Sequence, residues 1–238
     1  MNRLKKLLAT AIWISIAQTL QAQEHCNVWF RGTLSLPVGE KFKVDNELQH
    51  RRQNGFNNMN LFDKNLMFTY RSWIHYQYNE DIKFSISPFA YFSHYRIISN
   101  EKDESSSPIN EIRFSMAMEL QHVILKKLHI IDRNALEYRM FNNSQSNITR
   151  FRARLGFRYD FTEKIKLSIY DELILNLTGV TSYHFFDHDQ LGFNLEYSIL
   201  KKIKIDIGYI YAGRLPLTSR EKFYENNIFL NFTYQVKK

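Results

Sequence analysis

Alternation is the feature that most constrains this chain. Between Ile148 and Phe161 one row of residues reads Phe151, Ala153, Leu155, Phe157, Tyr159 and Phe161. The other row reads Arg150, Arg152, Arg154, Gly156, Arg158 and Asp160. Successive side chains of a β-strand point to opposite faces, whereas a helix would smear these rows into each other. The segment is therefore a strand with one apolar and one charged face. The same split recurs where Ile112, Phe114, Met116 and Met118 oppose Arg113, Ser115, Ala117 and Glu119. It returns where Leu191, Phe193 and Leu195 oppose Gln190, Gly192 and Asn194, and where Ile203, Ile205 and Ile207 oppose Lys204 and Asp206.

Eleven such strands can be read, near 27–36, 41–51, 61–78, 82–96, 111–125, 128–141, 148–161, 165–176, 189–200, 203–214 and 223–236. Tight connections fall at Pro37-Val38-Gly39-Glu40, Asn79-Glu80-Asp81, Lys126-Lys127, Thr162-Glu163-Lys164 and Lys201-Lys202. Longer polar connections alternate with them, near 52–60, 98–109, 142–147, 177–188 and 214–222. Hairpins with short turns at one end and long loops at the other are the outer-membrane arrangement. Single-chain bacterial barrels have even strand numbers. The expectation is thus an all-β, antiparallel up-and-down transmembrane β-barrel of about 10–12 strands, twelve preferred. A further strand could lie within 177–188, or Val28 to Leu36 could be a partial one. Aromatic residues near the tight turns, among them Tyr76, Tyr78, Tyr159, Phe161 and Tyr234, fit an interfacial girdle.

The N-terminus sets the compartment. Arg3, Lys5 and Lys6 precede the apolar stretch Leu7 to Ile16, and Leu20-Gln21-Ala22 offers a small residue for cleavage. This is the layout of a secretory signal, and the apolar run is too short to span a bilayer as a helix. The expected domains are a signal peptide over 1–22 and one outer-membrane barrel over 23–238. Losing the signal takes the formal net charge from +8 to +5, spread along the chain, which gives no support for nucleic acid as a partner. A single cysteine, Cys26, excludes an internal disulfide framework. The expected location is the bacterial outer membrane, with outer-membrane lipid and the barrel assembly machinery as partners.

Alternation alone does not say which row faces inward. A membrane barrel turns the apolar row outward; a soluble barrel does the reverse. With the apolar row outside, the lumen receives Arg71, Arg113 and Arg158 together with Asp45, Glu47, Glu119, Glu196 and Asp206. The leading lumen-lining candidates are Glu137, Arg139, Arg150, Arg152, Arg154 and Glu172. Charges confined there must pair or be hydrated, so they either plug the lumen or line a narrow pore.

These residues also carry a family resemblance. Leu136-Glu137-Tyr138-Arg139-Met140, Arg150-Phe151-Arg152-Ala153-Arg154, Tyr170-Asp171-Glu172-Leu173 through Asn176, and Phe186-Asp187-His188-Asp189-Gln190-Leu191 follow one another at hairpin spacing. The order resembles the outer-membrane barrel family called domain of unknown function 2490, over nearly all of the mature chain. Trp29 and the acidic strand ending in Arg51 resemble its start. One departure stands out: His188-Asp189-Gln190-Leu191 replaces the usual Q-N-R-L, so an arginine is missing. The resemblance implies an outer-membrane barrel and no particular activity.

No catalytic residue, cofactor or metal site is expected. Ser93 and His94 are adjacent and face opposite ways, and Asn58, Ser72 and His75 show no matching spacing. His184, Asp187, His188 and Asp189 share one long loop and read as a solvated segment. No phosphate loop or dinucleotide fingerprint is present. The expected role is a narrow channel or a plugged barrel with an Arg/Glu-rich lumen, not an enzyme. The alternatives are an outer-leaflet barrel enzyme acting on lipid, and a soluble periplasmic barrel binding an apolar ligand.

Overall fold

A computed structural model describes residues 25–143, 145–217 and 219–236. The expected signal peptide, 1–22, lies outside the described residues. The described chain forms β1 (His25–Val38), β2 (Phe42–Gln53), β3 (Lys64–Gln77), β4 (Ile82–His94), β5 (Ile109–Leu125) and β6 (Leu128–Phe141). It continues through β7 (Ile148–Asp160), β8 (Ile165–Asn176), β9 (Phe186–Leu200), β10 (Ile203–Arg214) and β11 (Phe223–Gln235). Each strand hydrogen-bonds its sequence neighbours, and β1 meets β11, so the sheet closes into a barrel without free edges.

The count among the described residues is eleven, odd where an even number was expected. With an odd number the first and last strands run the same way, so β1 and β11 pair in parallel from His25↔Glu225 to Ser35↔Gln235. Every other pairing is antiparallel. The segment 177–188 holds no extra strand. It contains a short 3-10 turn at Ser182–His184 and then the start of β9.

The apolar rows face outward: Leu48, Phe157 and Ile169 are 54 %, 44 % and 49 % exposed. This overturns the soluble alternative, which needs those rows inside. Closing a sheet this apolar on one side leaves the other row to fill the interior. Tyr78, Tyr159, Phe161 and Tyr234 lie exposed towards the short-turn end, where the Phe42 and Tyr76 rings stand 4.9 Å apart. Two carboxylates interrupt the outer rows: Asp132 and Asp171 are both register partners of Leu155, and Asn134 donates to Asp132. At the first short turn Gly39 adopts a left-handed φ of 74°, a conformation open to glycine at little cost.

Bulges break the strict alternation. In β4 the register shifts between Ser87 and Ala90, across Pro88, which has no N–H to give the ladder. Ser87 and Ala90 are both buried inward as a result. In β9 a shift against Ile174 and Leu175 turns consecutive residues, Asp187 and His188, into the interior.

The parallel seam is directly testable. In a Cys26→Ser background, Thr33→Cys with Thr233→Cys places two thiols at register partners on the inner wall. This pair is expected to cross-link under oxidation or with a short bifunctional thiol reagent, shifting mobility on a non-reducing gel. Thr33→Cys with Ser168→Cys on β8 is expected not to. Equal behaviour of the two pairs would remove the direct β1–β11 contact.

Candidate functional site: a charged lumen wall

The interior is organised by four buried carboxylates. Glu111 accepts from Arg113 Nε at 2.6 Å, from Arg139 Nε and Nη2 at 3.0 and 2.9 Å, and contacts His94 Nε2 at 2.9 Å. Glu137 accepts from Arg113 at 3.2 Å, from Arg150 Nε and Nη2 at 2.9 and 2.6 Å, and from Arg152 at 3.2 Å. Glu172 is held by Arg152 through two 2.9 Å bonds, by Arg154 at 2.8 Å, and by Gln190. Asp187 accepts from Arg150 at 2.9 Å, and His188 Nδ1 lies 3.2 Å from it. Arg113, Arg150 and Arg152 each bridge two carboxylates, so the pairs join into one network from β4 to β9. All six lumen candidates read from the sequence, Glu137, Arg139, Arg150, Arg152, Arg154 and Glu172, belong to it.

Register explains how they meet. Arg113↔Arg139, Glu137↔Arg150 and Arg154↔Glu172 are cross-strand partners on the inner face. Charge-assisted, bidentate bonds of this kind are strong, and they must be, because each carboxylate is almost fully withdrawn from water. Glu172 is 0 % exposed and Glu137 2 %. Gln190 stands where the resembled family pattern carries an arginine, and it donates a neutral amide to Glu172 instead.

The network runs along one side of the wall and leaves a cavity of about 770 Å³ beside it. Gly192 helps keep that space open, since any side chain there would collide with the Tyr170 ring that lies against it. The cavity wall presents ten arginines and three lysines against six carboxylates. Glu111, Glu137, Glu172 and Asp187 are not among its lining residues, because the guanidiniums stand in front of them. Two of the ten cavity arginines lack any ion-pair partner among the described residues. Arg51 bonds only the Gln49 side chain and stacks 3.5 Å over Trp29, while Arg133 lies 5.6 Å from the Trp73 ring centre.

Several functional positions escaped sequence reasoning. Asp187 and His188 are buried wall residues, not members of a solvated loop; the β9 bulge conceals them from a period-two reading. His184 does stay outside the wall, joined to Thr181. His75 proves to have a spatial partner: its Nδ1 is 2.8 Å from Ser85 Oγ and its Nε2 is 3.2 Å from Asp45. The three residues sit on three adjacent strands, so sequence spacing gives no hint of them. Ser85 lies within continuous ladders on both sides, His75↔Ser85 and Ser85↔Ala117, so no paired free N–H groups stand beside it to receive an oxyanion.

The long-loop end is partly covered. Tyr95 and Ile97 line the cavity from the segment after β4, and Gln53 ties that segment down by donating to Arg96 O and accepting from Ile98 N. Asp103 anchors the same loop. Burial raises its pKa, but the N–H groups of Ser99 and Asn100 and the Arg96 guanidinium outweigh that and hold the carboxyl below its ordinary value.

The fold is that of outer-membrane β-barrels, with a charged interior and an apolar exterior. The chain belongs to the family described as protein of unknown function, DUF2490, whose profile matches residues 26–214. No curated protein matches it in sequence. Among solved structures it is similar to the NanC porin, with TM-score 0.55 and 11 % identity over 88 % of this chain and 98 % of that one. It also resembles the translocator domain of autotransporter NalP from Neisseria meningitidis, with TM-score 0.44 and 13 % identity over 80 % of this chain and 73 % of that one. Outer-membrane expressed OmpT of Vibrio cholerae aligns with TM-score 0.38 and 11 % identity, over 80 % of this chain and 58 % of that one.

Two outcomes follow. Glu137→Ala leaves three guanidiniums facing one another in the wall and is expected to cost about 3–5 kcal/mol. Glu119→Ala, which removes only the part-exposed Lys83 pair, is expected to cost about 1 kcal/mol or less. Urea titration of the barrel in lipid vesicles compares them, and equal losses would sink the network as the main organiser. For the loop, a depressed folded-state pKa means that Asp103's contribution is present at neutral pH and is lost as pH falls through that pKa. Asp103→Asn is expected to speed tryptic cleavage after Arg96 and Lys102 in the intact barrel at neutral pH. An unchanged rate would show that Gln53 and Glu104, which accepts from Phe56 N and pairs with Lys64, hold the loop without it.

Proposed function

We propose that this protein is an outer-membrane barrel that admits small anionic solutes into its lumen, as a narrow channel and not as an enzyme. One observation carries the reading: thirteen cationic side chains face the cavity against six carboxylates. The four carboxylates that would redress the balance lie behind guanidiniums. Pores lined by Arg and Lys favour anions. The outward apolar rows and the aromatic residues near the short turns support residence in the bacterial outer membrane, with lipid as the surrounding partner and the barrel assembly machinery as the route of insertion. The overall likeness to the NanC porin is consistent with a conducting barrel. A non-catalytic role is favoured by the setting of Ser85, which has no oxyanion donors at hand.

Arginines outside the network make the best probes. Arg152 holds Glu137 and Glu172 together, so Arg152→Ala perturbs the wall as well as the pore. Arg133→Ala and Arg51→Ala remove cations that carry no carboxylate. In planar bilayers under a KCl gradient, the wild-type reversal potential is expected to show anion preference, and each of these variants to move it towards non-selectivity. Cation preference in the wild type would overturn the reading. Silence from demonstrably inserted protein would also count against it, in favour of a plugged barrel.

A further inference from the structure

The cavity has two unlike walls. On β10, β11 and β1 the inward residues Ile210, Ala212, Phe229 and Trp29 pack as one buried apolar cluster. Gly208 is the register partner of Phe229, and a side chain there would strike the Phe229 ring, so that ring lies flat against the wall. In the eleven-strand ring, β6 and β7 stand opposite β1 and carry Arg133, Arg152 and Arg154. Ile210, Phe229 and Trp29 line the same cavity as those arginines.

These side chains gain burial by packing on one another, and only the small remaining edges of Ile210 and Phe229, 5 % and 6 % exposed, border the cavity. The two walls meet at Arg51. Its guanidinium lies over Trp29, bonded to Gln49 and with no carboxylate in ion-pair range. Trp29 is only 7 % exposed, yet its indole N–H has no acceptor. A fixed cation, an unanswered N–H donor and an apolar surface therefore stand together on one part of the path.

We propose that the lumen selects organic anions with an apolar body, namely small carboxylates bearing an aromatic ring or a short alkyl chain. The carboxylate accepts from Arg51 and Trp29 Nε1, and the body lies along Ile210 and Phe229. This rests on the anion-admitting reading above and narrows its solute class. Charge draws the head in, and burial of the body against the apolar wall adds affinity in proportion to area.

Calorimetry on the full chain, purified from the membrane in detergent, tests it with three ligands: benzoate, acetate, which keeps the charge without the ring, and benzyl alcohol, which keeps the ring without the charge. Benzoate is expected to bind at about tenfold lower concentration than either, as burial of part of a ring would give. Ile210→Thr, a strand-compatible change, is expected to weaken benzoate and leave acetate unchanged, while Arg51→Gln weakens both anions. Acetate or benzyl alcohol binding as tightly as benzoate in the wild type overturns the proposal whatever the variants do. A KCl reversal potential on the same protein separates the two levels. If anion preference persists, only the apolar selectivity has failed; if it is absent, the underlying reading has failed too.

Discussion

The carboxylates set into the inner wall are the elements on which the rest of the barrel depends. An unpaired charge removed from water costs several kcal/mol, and Glu111, Glu137 and Glu172 are all but fully buried. Each is tolerable only because guanidiniums reach it from its own strand, from neighbouring strands, or from both. That requirement fixes the register of β5 through β9, since a slip of one residue would turn every arginine of β7 outward and every Phe inward. The apolar exterior and the paired interior are thus two consequences of one arrangement, and neither survives without the other.

The strand count shapes the opposite side. Parallel pairing is slightly weaker per residue than antiparallel pairing, and the parallel seam joins β1 to β11. No member of the ion-pair network lies there. The seam is instead closed by the Asn27–Asn227 side-chain bond at 3.0 Å and by Trp29 packed with Phe229, Ile210 and Ala212. The barrel interior therefore combines the continuous ion-pair network of β4 to β9 with a compact apolar cluster at the seam, set among separate pairs such as Arg31–Glu47 and Arg214–Glu225.

Most of the fold was legible because alternation is a direct print of strand geometry. The rows on β5, β7 and β9 to β11 could be read residue by residue, and with them Arg150, Arg152 and Arg154; the other three candidates that the structure gathers into the network, Glu137, Arg139 and Glu172, lie on β6 and β8. Legibility ended where geometry departs from period two. The bulge in β9 turns Asp187 and His188 inward together, so a pattern reading assigned them to a loop. The local pattern did carry the strand number, eleven; the preference for twelve came from the general rule of even counts and not from the residues. The Asp45–His75–Ser85 contact depends on register across three strands, so residue spacing could not reveal it. Glu111, at the first turn of the Arg113 row, lay on the readable face, and its row position was the signal available for it.

The network also determines which charges can act on a solute. Arg113, Arg150 and Arg152 each bond two carboxylates, so much of their field is cancelled within the wall over a few ångströms. Arg51 and Arg133 have aromatic partners instead, and a ring quadrupole neutralises far less than a carboxylate does. Positive potential in the cavity therefore comes mainly from the arginines that structure can spare. The division of labour is physical: buried carboxylates commit one set of cations to holding the wall, while Arg51 and Arg133, with no carboxylate in ion-pair range, face the lumen.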